Sequence, residues 1–287
     1  MWSKIRRSSA SAFVDPLGTA ERLGAATQLI SSLEYLARKA DRGPGGLNDW
    51  TYLRDQFPSN SRVVTRLRDW IAQEPITQSI HASRVLAAIV LISPARNNYV
   101  RLACNAYLSA SQILTYPRHF FGTDGSDQVS FVIQTASAIG RAGATDASRR
   151  AAVQFIGAQT ALSYGASGWA KLPGAAWQHG DALAKIMRTE TYGDQWLFEQ
   201  LRKYPAAARA LCHLVLALEC GFPLLLLKRG KYLDAGLLAM AGFHLANARF
   251  MGLSRFAWAF IATYPSVRAL ARGFDPAAST TGNRRKA

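Results

Sequence analysis

Apolar residues recur along this chain in runs of 11 to 20, at spacings of three and four rather than in the alternation that strands require. The pattern predicts a helix over residues 18–38, with Leu23, Leu29, Ile30, Leu33 and Leu36 apolar; Glu21, Arg22 and Glu34 suit it to face inward or to lie on a surface. Residues 40–61 read as a loop broken by Gly43-Pro44-Gly45-Gly46. Residues 63–74 read as an amphipathic interfacial helix, with Trp70 at headgroup level. Apolar runs follow at 84–94 (with a polar lead-in from Thr77), 102–117 and 128–139, and residues 141–150 read as a solvated linker. Further on, residues 181–204 are charged, 210–227 form the most apolar run, 228–231 a basic turn, and 232–248 and 254–264 two more helical segments. No Gly-rich phosphate loop is present. The fold class expected is all-α, a polytopic transmembrane helical bundle with short interfacial helices.

The stretch 151–170 holds the centre of the pattern. It is free of charge, and as a helix it would rise about 30 Å, the thickness of a bilayer's hydrocarbon core. Gly157, Ala161 and Gly165 set small residues on one face, as where membrane helices pack closely. The run ends at Lys171, whose face also carries Gly168 and Tyr164 one and two turns earlier. A lysine there either snorkels to the headgroups or serves as a desolvated base. In the run 210–227, Glu219 is costly in lipid and is expected to face the interior, paired with Arg249 or another inward cation, while Pro223 should kink the helix.

Composition pulls both ways. A hydrophobic fraction of 49% and a mean hydropathy of −0.01 are low for a polytopic protein. The net charge of +16 suits nucleic acid, an anionic membrane surface or basic loops. Its basic residues cluster between apolar runs, at Arg62-Arg66-Arg68 and Lys228-Arg229-Lys231 for example, which favours membrane-flanking loops; no nucleic acid partner is expected. Cys104, Cys212 and Cys220 lie in apolar runs without CxxC spacing, so they read as reduced thiols, and no metal site is expected. The organisation expected is an N-terminal helix, loop and interfacial segment over 1–76, a helical transmembrane core over 77–273 and a disordered basic tail over 274–287.

Four segments in this order, SYGASGWAKLPGAAWQHG, ALECGFPLLL, GFHLANARFMGL and FIATYP, resemble the transmembrane domain of the vitamin K-dependent gamma-carboxylase and its bacterial relatives, the horizontally transferred transmembrane (HTTM) family. The likeness is best over residues 98–267. It implies a multi-pass protein of the cell membrane. It also implies a lysine base, here Lys171 in the context Gly168-Trp169-Ala170-Lys171-Leu172…Trp177, acting on a reduced quinone or another lipid-soluble substrate. The family's Phe-His-Leu-x-Asn segment is matched by Phe243, His244, Leu245 and Asn247, which makes His244 a second catalytic candidate. Tyr164, Gly168, Asn247, Asn105 and Trp177 are the candidates for contact with the substrate or cofactor. Where the resemblance calls for a helper histidine, residues 101–107 offer Arg101 and Asn105 instead. Carboxylase- or epoxidase-like chemistry, with peptide modification as one use, is thus one function implied; a non-catalytic scaffold or export partner of a secreted peptide is the alternative, with Glu219 and Arg249 as structural polar residues.

Overall fold

A computed structural model describes residues 15–94 and 97–273, and the basic tail expected over 274–287 lies outside them. Among the described residues the regular structure is helical throughout, with no strand. The helices are α1 (Pro16–Ala37), α2 (Trp50–Gln56), α3 (Arg62–Ile71), α4 (Glu74–Ile92), α5 (Asn98–Thr115), α6 (Gly125–Ala142), α7 (Asp146–Lys171), α8 (Ala175–His179), α9 (Ala182–Met187), α10 (Gln195–Lys203), α11 (Pro205–Gly221), α12 (Leu233–Met251) and α13 (Ser254–Arg272). They form two compact units, one over Ala20–Ala152 and one over the rest of the described chain. Neither boundary falls at 76/77, where the sequence pattern changes.

Two segments read as unstructured are ordered. The loop expected over 40–61 contains α2, which Asp49 caps by accepting the Thr51 N–H at 3.0 Å. The linker expected over 141–150 shrinks to a three-residue turn. Thr145 and Ser148 exchange backbone-to-hydroxyl hydrogen bonds of 3.1 and 3.3 Å, which satisfy the first donors of α7 and start it at Asp146. The Asp-Gly turn is likewise a helix start: Asp124 and Asp127 form a capping box on α6.

In the unit Ala20–Ala152, α1 packs on α4 and α5 through Ala25, Ala87, Ala88, Leu91 and Leu108. Beside this small apolar core lies a polar one. Glu21 is fully buried and receives Arg101 (Nε at 2.8 Å), Arg141 (Nη2 at 2.7 Å) and the Asn105 amide (3.0 Å). Seven residues on, Gln28 accepts from the buried Arg84, which also donates to Ser32 (3.2 Å), Ser111 (2.7 Å) and the Leu108 carbonyl (3.2 Å). The outward positions are apolar: Leu86, Ile89, Ile113 and Ile139 are each at least half exposed. At one end of the unit, Asp69 of α3 accepts Arg54 (Nε 2.8 Å, Nη2 3.0 Å) and the Trp50 indole N–H (2.9 Å), both from α2.

In the other unit α7 is the central element. An added Cβ at Gly157 would lie 2.6 Å from the Ser266 carbonyl oxygen, so the small residue lets α7 and α13 touch backbone to backbone. The run after α11 tightens into a 3₁₀ turn at Phe222–Leu226, where Pro223 was expected to kink it. The basic turn follows with Lys228 and Arg229 in left-handed conformation (φ 53° and 55°) ahead of Gly230. Here too Phe155, Leu162, Leu214, Leu238 and Leu245 point outward, each at least half exposed.

Two stretches of the described residues are long and apolar enough to cross a membrane, Glu74–Ile92 and Pro205–Gly230. The other long helices carry more polar and charged positions than that criterion allows.

The Glu21 cluster yields a stability prediction. Glu21→Gln removes the buried carboxylate that Arg101 and Arg141 share and should cost about 3–5 kcal/mol, read as a lower unfolding temperature. An unchanged melting curve would remove the cluster from the energetics of the unit. A second prediction concerns pH. Arg54, and after it the Trp50 N–H, hold the Asp69 carboxyl below the usual carboxylate range. A carboxylate of lowered pKa adds stability that is full above the ordinary carboxylate pKa and lost as pH falls through the lowered one. The Trp50 indole proton resonance should therefore shift on acidification below the ordinary carboxylate range and be insensitive to acid in Asp69→Asn.

Candidate functional site

The site is built from the close approach of α7 and α11. At Gly168 an added Cβ would stand 2.6 Å from the Cys220 backbone nitrogen, so only glycine admits the contact. Lys171, one turn later, is thereby brought beside Glu219. Its ammonium donates to Glu219 Oε2 at 2.6 Å and to Ser167 Oγ at 2.5 Å, and Ser167 in turn donates to Glu219 Oε1 at 3.3 Å. Glu219 is buried, whereas the Lys171 side chain keeps 26% of its exposure, so the ammonium sits at the edge of the packed interior. The Trp177 ring, carried by α8, has its centroid 5.6 Å from the Lys171 nitrogen, within cation–π range.

Tyr164 lies on the same face of α7, two turns before Lys171 and fully packed. Its hydroxyl bonds His244 Nε2 at 2.7 Å and approaches the Tyr264 hydroxyl at 3.4 Å. His244 is 1% exposed and stacks on Phe260 with ring centroids 4.6 Å apart. An aromatic wall of Phe222, Phe256 and Phe260 surrounds the pair. Lys171, Glu219, Tyr164, Gly168, Trp177 and His244 thus belong to one unit, the first two in direct contact and Tyr164 with His244 likewise.

Of the other three predicted residues, Asn247 is in the same unit, one turn after His244, and Arg249 and Asn105 have different partners. Asn247 is half-buried near the end of α12, where its carbonyl accepts the Gly252 N–H that closes the helix. Arg249 does not pair with Glu219, whose cation is Lys171; its exposed guanidinium lies 3.7 Å from Asp194 and against the Phe250 ring. Asn105 belongs to the other unit and is enclosed in the Glu21 cluster, with both amide hydrogens spent on Glu21 and the Arg101 carbonyl.

One arrangement escaped the sequence reading. In the unit Ala20–Ala152, His81 of α4 and His119, in the 3₁₀ turn after α5, meet Nε2 to Nε2 at 2.7 Å, and Tyr35 stacks on His119 at 3.8 Å. Both histidines are buried, and their Nδ1 atoms have no hydrogen-bond partner among the described residues. A cavity of about 20 Å³, lined also by Arg84, Gln112 and Asp127, adjoins them and would hold about one water. The two histidines are 38 residues apart, and neither has a companion at metal-ligand or catalytic spacing that a sequence pattern could report.

Comparison of the chain with protein-family models, with curated proteins and with solved structures finds no match.

The contact at Gly168 can be tested. Gly168→Val should drive the Lys171–Glu219 pair apart and cost about 1–3 kcal/mol through overpacking. Acylation of Lys171 by a water-soluble amine reagent, followed by peptide mass spectrometry, should be faster in the variant than in the parent. Equal labelling would mean that the close approach does not position the pair.

Proposed function

We propose that this chain is a multi-pass membrane protein resembling the HTTM family and that the Lys171–Glu219–Ser167 cluster is its reactive site, directed at an acidic hydroxyl of a lipid-soluble, quinol-like molecule. The observation that carries the membrane reading is the inverted polarity of the unit Ala20–Ala152, together with the outward apolar side chains of both units. Glu21, Arg84 and Arg101 are buried, while leucine, isoleucine and phenylalanine side chains point outward along the long helices. In water this arrangement exposes apolar surface and desolvates charge, both unfavourable; in a bilayer the first term reverses. Among the helices outside Glu74–Ile92 and Pro205–Gly230, α1, α5 and α6 turn Glu21, Arg101 and Arg141 inward.

The cluster suits a proton-transfer role for a specific reason. A lysine can accept a proton only after losing its own, and Glu219, at 2.6 Å, is the nearest acceptor. Moving one proton from Lys171 Nζ to Glu219 Oε2 turns the ion pair into two neutral groups that stay within hydrogen-bond distance. The neutral amine is then a base at the edge of the packed interior, steadied by Ser167. Trp177 offers a flat apolar face beside it, and Tyr164, on the same face of α7, is bonded to His244 of α12. A bound quinol would supply an ionisable hydroxyl and an aromatic ring, which these groups match in kind. The same closed pair favours a second reading, in which Lys171–Glu219 merely joins α7 to α11 and the protein is a non-catalytic scaffold for a secreted peptide.

Three measurements separate these readings. After carbonate washing of membranes the full chain should stay in the pellet; release would end the membrane reading. Mass spectrometry of the detergent-purified protein should detect a quinone-class molecule, whereas a stable peptide partner with no small molecule would favour the scaffold. Lys171→Ala leaves Glu219 unpaired, so the double variant Lys171→Met/Glu219→Gln, which removes both charges, serves as the folded control. Both variants should lower turnover of an added quinol by about 100-fold or more, with the double variant melting near the parent. Full activity in the double variant would refute the base assignment.

A further inference from the structure

α3 is a short helix with two different faces and its own direction. Ser61 caps its start, and an extended residue at Gln73 (ψ 128°) separates it from α4, so it does not continue the long helix that follows. Ile71 is its buried anchor, and Thr65, Arg68 and Asp69 lie half-buried toward α2. The outward side carries Val63, Leu67 and Trp70, at positions i, i+4 and i+7, with exposures of 75, 42 and 51%. These three form one apolar stripe on a helix of under three turns. Arg62 and Arg66, also exposed and four residues apart, flank it.

We infer that α3 is an in-plane foot that rests on the anionic headgroups of a bilayer, with Val63, Leu67 and Trp70 entering the interface and Arg62 and Arg66 meeting lipid phosphates. Two observations select lipid over a protein partner. First, α3 leads within three residues into Glu74–Ile92, one of the two stretches able to cross a membrane, so the helix stands where headgroups would be. Second, α2 and α3 carry Arg54, Arg62, Arg66 and Arg68 against Asp55 and Asp69; Asp69 is held by Arg54, and the excess positive charge falls on the exposed Arg62–Arg66 edge. A tryptophan at the rim of an apolar stripe, with arginines beside it, is the composition of interfacial helices. The inference rests on the membrane reading above.

The test uses the full chain in lipid nanodiscs, either neutral phosphatidylcholine alone or mixed with anionic phosphatidylglycerol. Each disc also contains a phosphatidylcholine brominated high on its acyl chains, which quenches tryptophan at the interface. The Trp70 signal is the difference between the parent and Trp70→Phe. It should be quenched, and more strongly in anionic discs; each arginine should raise the docking equilibrium about fivefold, from about 1 kcal/mol per basic residue near an anionic surface. Arg62→Gln/Arg66→Gln should abolish the dependence on anionic lipid. Trp70 emission unquenched in both discs would overturn the docking, and quenching equal in both would overturn the role of the arginines. Carbonate extraction is read separately, so a chain that stays in the membrane with Trp70 in water defeats this inference and leaves the membrane reading standing.

Discussion

Charge that is buried must be paired, and the interior of both units is organised by that requirement. Glu21 holds two arginines and an asparagine that come from two other helices, α5 and α6; Glu219 holds a lysine from a different helix. A buried carboxylate without its cation costs several kcal/mol, as does a buried guanidinium without an acceptor. Each cluster therefore specifies which helices are neighbours and in what register more tightly than alanine and leucine contacts do. In the unit Ala20–Ala152 the apolar cluster beside Arg84 and Glu21 is three alanines and two leucines, small side chains that say little about register.

Small residues make this pairing reachable. Lysine and glutamate are long, but a hydrogen bond of 2.6 Å between them, with both stems packed, requires helix axes that approach closely. Gly168 permits that approach to α11, as Gly157 permits the one to α13. The glycines and the charged pair are thus one device, in which the backbone contact sets the distance at which the charges meet. Trp177 and Ser167 then limit where the ammonium can go.

Part of this was legible in the chain, for reasons of periodicity. The helical class, the inward face of Glu219, the tightened turn at Pro223 and the shared face of Tyr164, Gly168 and Lys171 all follow from spacing within a single helix. What could not be read was partnership across helices. Charge ordinarily signals solvent, so Arg141 looked like the start of a linker; it is 6% exposed and bound to a glutamate 120 residues away. For the same reason Arg249 seemed an apt partner for Glu219, although its side of α12 faces outward. His81 and His119 gave no signal at all, because neither has a functional neighbour in sequence.

The two buried histidine arrangements show how different the same residue can be. His244 is engaged by a tyrosine hydroxyl and sandwiched among phenylalanines, so its ring is fixed and one nitrogen is satisfied. His81 and His119 face one another with Tyr35 stacked on the pair and room beside them for about one water. Two neutral imidazoles that meet through Nε2 can form one hydrogen bond only if one presents a proton and the other a lone pair, so the two rings must hold opposite tautomers. The ring that donates through Nε2 then has a bare Nδ1 acceptor, and its partner has an Nδ1–H to place. A water in the adjoining cavity could answer either need, which makes the pair a polar feature defined by its tautomers rather than by charge.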